Sequence, residues 1–267
     1  MNEQVLLLGA SGYIGRAIQR ALDPVGVPVI GYSSKTLDLT DPNAFNYLAD
    51  VLTPETTLVF ASALTPDKGQ NMITLLDNMA MATAVGRALV VSPPARCVYV
   101  GSDAVYGFDE NPVTERTPVA PTSYYGLAKY AAEKVVEFEA TEAKVPFLSL
   151  RVTGVYGPGD PHGAYGPNSF ARSLAANSTI RLFGNGEEER DHLYIDDVGR
   201  LAVALIRSGA TGVINLATGV SRSFASIIPS GSVVVTRPRT RRITHRHFDT
   251  TRLREAVPDF TFTPFQE

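Results

Sequence analysis

The sequence predicts an α/β protein built on a doubly wound parallel sheet, and three observations carry that expectation. Short apolar runs alternate with longer amphipathic stretches, which is the sequence form of βαβ units. The first apolar run ends in a glycine-rich turn, Gly9-Ala10-Ser11-Gly12-Tyr13-Ile14-Gly15, that leads straight into the first helical stretch. The chain has 267 residues, 44% of them hydrophobic, which is enough to bury a core of this architecture.

Strands are predicted over 4–9, 27–32, 57–61, 97–101 and 146–151, each a short run rich in Val, Leu, Ile, Phe or Tyr. Helices are predicted over 13–22, 42–52, 71–91, 123–144 and 196–208. Asp41-Pro42 offers a capping carboxylate followed by a proline in the first turn, and Asp196 sits favourably at the positive end of its helix. Two segments break the alternation: the Gly/Pro-rich stretch 157–168 and the arginine-rich tail from Arg237. Late insertions of this kind form a second lobe over the carboxyl ends of the strands, where ligands sit. The expected division is a dinucleotide-binding unit over 1–157, with 187–216 returning to it, and a small substrate-binding lobe over 158–186 and 217–267.

Composition excludes several classes. A net charge of -3 argues against a nucleic-acid binder. One cysteine rules out an internal disulfide framework and a cysteine-rich zinc site, and Cys97, inside the run CVYV, is expected to be a buried strand residue. No apolar stretch is read as approaching the ~20 residues of a membrane span, and the start MNEQVLLLGASGYIG lacks a basic leader. A cytoplasmic protein with no membrane partner is expected.

The glycine turn has a chemical use. Its first glycine permits a tight turn, its second lets the backbone approach a pyrophosphate, and its third lets helix and strand pack closely. The helix N-terminus adds free N–H groups and a positive dipole end. A Rossmann-type nucleotide site is therefore expected on Gly9, Ser11, Gly12, Tyr13, Ile14 and Gly15. The end of the second strand chooses between dinucleotides, because an acid there binds a ribose 2′-OH whereas hydroxyl or basic groups suit a 2′-phosphate. This chain offers Ser33, Ser34 and Lys35, with no carboxylate before Asp38, which leans toward NADP over NAD.

Tyr125 and Lys129 lie one helical turn apart at the start of the fourth helix, so both project from one face. A lysine ammonium beside a phenol is expected to lower the tyrosine pKa and make it a usable acid or base. Ser102 stands at the carboxyl end of the fourth strand, within Gly101-Ser102-Asp103-Ala104-Val105-Tyr106-Gly107. With the glycine turn in place, this set resembles the extended short-chain dehydrogenase/reductases, the nucleotide-sugar epimerase, dehydratase and reductase group. The segments Arg151-Val152-Thr153-Gly154-Val155-Tyr156-Gly157-Pro158, Gly184-Asn185-Gly186, Arg190-Asp191 and Tyr194-Ile195-Asp196-Asp197 are similar to that group's later signatures.

The resemblance implies roles. Tyr125 would transfer the proton, Lys129 would support it and anchor the nicotinamide ribose, and Ser102 would bond the substrate oxygen. Asp38 and Leu39 would contact adenine, and Ala61, Ser62 and Ala63 would lie beside the cofactor ribose. On the substrate side, Asp103, Asn168 and Arg190 would face a nucleotide-sugar, with Arg190 on its diphosphate. Departures from the pattern are Gly154, where an asparagine is common, and Met79, where an asparagine often stands near the site. Ala104 replaces the glutamate of 4,6-dehydratases and cannot take a proton, so dehydration is disfavoured. A 4-ketoreductase with Tyr125 as proton donor is expected ahead of a 4-epimerase with retained NAD. A non-catalytic dinucleotide sensor is the alternative of another class.

The tail from Arg237 to Arg254 holds arginines at 237, 239, 241, 242, 246, 252 and 254 against the single acid Asp249. One or two of them, Arg237 among them, are expected to meet an anionic substrate. His245 and His247 alternate along one strand face, and no carboxylate or cysteine is read as their partner, so no metal is expected. By the same resemblance, the helices 71–91 and 123–144 would pair across a homodimer.

Overall fold

The computed structural model describes residues 4–108, 110–161 and 166–266. In chain order the first half comprises β1 (Gln4–Leu8), α1 (Tyr13–Leu22), β2 (Val29–Tyr32), α2 (Ala44–Val51), β3 (Thr56–Phe60), α3 (Met72–Val91) and β4 (Arg96–Ser102). Then come α4 (Tyr124–Glu142), β5 (Phe147–Val152), β6 (Gly154–Tyr156), α5 (Pro167–Ala175), β7 (Ile180–Phe183) and β8 (Glu189–Tyr194). The chain closes with α6 (Ile195–Ser208), β9 (Gly212–Leu216), β10 (Ser221–Ser223), β11 (Val234–Arg237) and α7 (Thr251–Ala256). Every predicted strand and helix forms within two residues of its expected bounds.

Six parallel strands make the main sheet in the order β2-β1-β3-β4-β5-β9. The strands read as unbroken apolar runs because both faces are covered. Leu6 and Leu8 of β1 pack on one side with Leu48 of α2 and Leu89 of α3. Val5 and Leu7 pack on the other with Ile18 of α1 and Leu201 of α6. The chain runs from β1 outward to β2, then crosses to β3, so the strand order reverses between β1 and β3. That reversal opens a crevice at the carboxyl ends of the strands. Two small sheets, β10-β8-β6 and β11-β7, are built from the later segments.

Helix α2 starts at Ala44 with Asn43 as its cap. Asp41 stands just outside, its carboxylate accepting from the Asn43 N–H at 2.7 Å. Helix α3 corrects the reading of apolar stretches. At 20 residues it is long and apolar enough to span a membrane by length and composition. It has Ala82, Val85, Ala88 and Leu89 buried against the sheet and its neighbours, as a core helix does.

A buried polar chain fixes α4 to the sheet. The Glu133 carboxylate accepts from Arg151 Nη2 at 2.6 Å, Arg151 Nε at 3.0 Å and the Ser149 hydroxyl at 2.7 Å. Arg151 Nη1 donates to the Tyr106 hydroxyl at 2.8 Å, which donates to Asn215 Oδ1 at 2.9 Å. These bonds run from α4 through β5 and the turn after β4 to β9. Each charge is paired, which is the condition for burying it.

Candidate active site

Gly9 follows β1 with φ +85°, a left-handed conformation that side chains resist. A Cβ there would lie 2.8 Å from the backbone of Ala61, at the end of β3. One at Gly15 would lie 2.1 Å from the Gly9 carbonyl oxygen. The glycines thus let turn, helix and the neighbouring strand end close on one another at the crevice. Gly12 caps α1 and no side chain bonds its first amides, so the helix N-terminus remains available to an anion. These features suit a dinucleotide pyrophosphate. Ser11 is exposed, Ile14 packs beneath the turn, and Ala61, Ser62 and Ala63 line it half-buried from β3. The Tyr13 hydroxyl donates to the Gly157 carbonyl at 3.0 Å, and Arg16 Nη2 reaches the Gly159 carbonyl at 3.5 Å. This tie between the phosphate turn and the loop after β6 was not foreseen, because nothing in sequence spacing relates residues so distant.

At the end of β2, the Tyr32 carbonyl accepts from the N–H groups of both Gly9 and Ala10 at 2.9 Å. Ser33 uses its N–H to bond the Thr36 hydroxyl at 2.9 Å, while Ser34 and Lys35 are exposed. Asp38 is turned toward Thr40, whose N–H and hydroxyl donate to its carboxylate at 2.9 and 2.7 Å and hold its pKa below the usual value. Leu39 beside it is buried.

Ser102, Tyr125 and Lys129 converge where β4 ends and α4 begins. Ser123 caps α4, its hydroxyl accepting from the Gly126 N–H at 3.1 Å. A Cβ at Gly126 would stand 2.2 Å from the Ala104 carbonyl oxygen, so the glycine after Tyr125 is what allows α4 to press on the turn carrying Ser102. The Ser102 hydroxyl lies beside Tyr125 and draws its pKa down, and Ser102 accepts from the Ala104 N–H at 3.2 Å. Lys129 is buried, its Nζ donating to the Val100 carbonyl at 2.6 Å and lying 4.3 Å from the centre of the Tyr99 ring.

The expected depression of the tyrosine pKa is not found. Burial pushes Tyr125 up to about 12, against the lowering effect of the Ser102 hydroxyl. Burial also pulls Lys129 down to about 7, against Glu133, so near neutrality its stabilising charge is only partly present.

The arginines expected to meet substrate come from β8 and the tail. Asp103 has its pKa raised by burial and lowered by the charges of Arg246 and Arg190, which places both arginines in its field. Arg190 is half-buried, and much of its guanidinium is engaged by protein: Nη1 donates to the Thr244 carbonyl at 2.6 Å and Nη2 to the Thr244 hydroxyl at 3.1 Å. Arg246, passed over as one of a charge run, is 4% exposed, lies 4.4 Å from the Phe108 ring centre and leaves Nη1 without a partner. Arg237 is exposed on β11. Arg239 is held by Glu187 and Glu188 at 3.4 and 3.0 Å. Asn168 spends its amide on the loop, accepting from the Gly157 N–H and donating to Asp160, both at 2.9 Å. Beside Met79, Asn78 does the pinning expected of an asparagine: it accepts from the Leu64 N–H at 2.9 Å and donates to the Leu64 carbonyl at 3.1 Å. The fold also brings a carboxylate, Glu189, to His245 and His247 at 3.5 and 3.4 Å, which the sequence had not suggested.

A cavity of about 510 Å³ lies beyond the phosphate turn. It is lined by Tyr156, Asn168, Arg172, Tyr194, Pro229 and Phe265 among others, and Tyr156 and Phe265 stack at 4.8 Å. Ser102, Tyr125 and Lys129 are not in its wall.

Residues 5–217 match the model of the NAD dependent epimerase/dehydratase family. A protein of Methanocaldococcus jannaschii provisionally named UDP-glucose 4-epimerase is 33% identical over 123 residues, and the match spans 45% of this chain and 40% of that protein. The ADP-L-glycero-D-manno-heptose-6-epimerase of Cupriavidus pinatubonensis is 25% identical over 249 residues, covering 84% of this chain and 75% of its own. In fold, the chain superposes on the UDP-N-acetylglucosamine 4-epimerase of Methanobrevibacter ruminantium in complex with UDP-N-acetylmuramic acid. There the TM-score is 0.84 and the identity 21%, over 98% of this chain and 93% of that one. The Thermus thermophilus UDP-glucose 4-epimerase in complex with NAD gives a TM-score of 0.81 and 20% identity, over 97% and 95%. With four-fifths of its length inside the family model and the family's sheet order around its glycine turn, this chain belongs to the NAD dependent epimerase/dehydratase family.

Proposed function

We propose that the protein is a nucleotide-sugar 4-epimerase holding NAD at the phosphate turn, with Tyr125 as the proton-transfer residue. The observation that carries this reading is Tyr125 beside the Ser102 hydroxyl and one helical turn from the buried Lys129, in a chain whose glycine turn suits a pyrophosphate. The dinucleotide supplies hydride acceptance and donation at the sugar carbon; the remaining work falls to side chains. Tyr125 would first take the proton of the sugar 4-hydroxyl and later return it to the carbonyl oxygen; burial favours the protonated phenol, so the first half is the demanding one. Holding the phenolate that accepts the proton requires a nearby cation, and Lys129, one helical turn on, would provide it. Ser102 would share the same oxygen and orient it. Arg246, with an unpaired buried N–H, and Arg190 would meet the diphosphate, and the aromatic cavity at Tyr156 and Phe265 would take the nucleoside. Relatives of this fold carry UDP-sugars and NAD in their complexes, which supports uridine and NAD here.

A second reading, a 4-ketoreductase using NADPH, is favoured by one specific feature: Ser33, Ser34 and Lys35 at the end of β2, without a carboxylate. Analysis of the dinucleotide that copurifies, with NADPH and NADH titration of the apoprotein, separates the two. Tightly retained NAD is expected. An empty site that takes NADPH at least tenfold more tightly than NADH would move the reductase to first place.

A further inference from the structure

Glu189, His245 and His247 converge at a place the proposed reaction does not use. Glu189 opens β8, and the histidines alternate along an extended segment beside it, where the Arg246 N–H donates to the Glu189 carbonyl at 3.0 Å. The alternation of an extended chain turns His245 and His247 to one side and Arg246 to the other. Asn111 clamps the segment, donating to the His245 carbonyl and accepting from the His247 N–H, both at 2.9 Å. The two imidazoles lie nearly parallel, 16° apart with centroids 5.9 Å from each other.

His245 Nδ1 lies 3.5 Å and His247 Nε2 3.4 Å from the same atom, Glu189 Oε2. One ligand atom from each residue falls within a 4.8 Å set. A tetrahedral zinc-type ion with bonds of about 2.0–2.2 Å holds its ligands roughly 3.3–3.5 Å apart. Two edges of such a tetrahedron already have that length. A pair of simple ion pairs is the plainer account, but at 3.5 Å from Glu189 it leaves the buried His245 Nδ1 without a hydrogen bond. Two neutral imidazoles and a carboxylate are the donors a zinc-class ion prefers, and the half-exposed side chains leave a solvent position for a fourth ligand.

We propose that Glu189, His245 and His247 bind one divalent transition ion of the zinc class. Such an ion staples the tail segment to β8. Because Arg190 follows Glu189 and Arg246 separates the histidines, the staple fixes both arginines on the opposite, substrate-facing side. The site stands independently of the reaction assigned to the cleft.

The test uses the full chain without a histidine tag, titrated with Co²⁺ and followed by its ligand-field absorption, and with Zn²⁺ by calorimetry and thermal melting. One ion per chain and a raised melting temperature are expected. His247→Gln and Glu189→Gln should each weaken binding at least tenfold, with metal-free melting temperatures close to the parent's. Failure of the unmodified protein to bind either ion with one-to-one saturation at micromolar concentration would overturn the proposal. So would unchanged affinity in both variants.

Discussion

Lys129 is the residue whose chemistry is most altered by its surroundings. Its pKa falls to about 7 in the folded chain against 10.5 when free, because it is buried. Between those values the unfolded chain binds the extra proton, so stability must rise with pH across the window from about 7 to about 10. For the cofactor-free protein the gain between pH 7 and pH 9 should be about 2 kcal/mol, and Lys129→Met should abolish it. Denaturant unfolding of both proteins at the two pH values checks this; parallel changes would show that Lys129 is charged throughout. The place of this residue one helical turn from Tyr125 was legible from Tyr125-Gly-Leu-Ala-Lys129, but its burial was not. Nothing local announces that Nζ will lie beneath the Tyr99 ring on the Val100 carbonyl. Arg246 was illegible for the same reason: in a run of arginines, only the fold decides which one is buried.

At the scale of elements, the site depends on how closely α4 approaches the turn after β4. Gly126 permits that approach, since any Cβ there meets the Ala104 carbonyl at 2.2 Å. Gly126→Ala should therefore lift the start of α4, part Tyr125 from Ser102 and lower turnover at least tenfold, with a stability loss of about 1–3 kcal/mol. Assay and thermal melting of the variant test it; parent-like values in both would mean that α4 tolerates the shift. The elements of the main sheet were readable because their strands are buried on both faces and so appear as continuous apolar runs. Strand β9 was missed, because GVINL is short and follows α6 across only a brief turn. The strands β6, β7, β8, β10 and β11 were missed as well. They belong to two small sheets, with β8 central in one of them, and their pairing is set by distant partners rather than by local pattern.

For the molecule as a whole, α3 and α4 pack on each other and still expose Ile73, Leu76, Val91 and Phe138. We expect a homodimer through these helices, which light scattering at micromolar concentration would read as twice the 28.7 kDa chain mass. Leu76→Glu with Phe138→Glu should yield monomers, and a parent protein that is already monomeric would remove the expectation. Asp103 acts on Tyr125 and in turn feels the charges of Arg190 and Arg246, so the fold brings the start of α4 and the arginines of β8 and the tail into one neighbourhood. The most direct measurement is turnover of Tyr125→Phe on whichever nucleotide-sugar the parent is found to convert, alongside its content of bound dinucleotide. A fall of about 10²-fold or more with dinucleotide content unchanged is expected. Retention of most of the activity would contradict the assignment of Tyr125 as the proton-transfer residue.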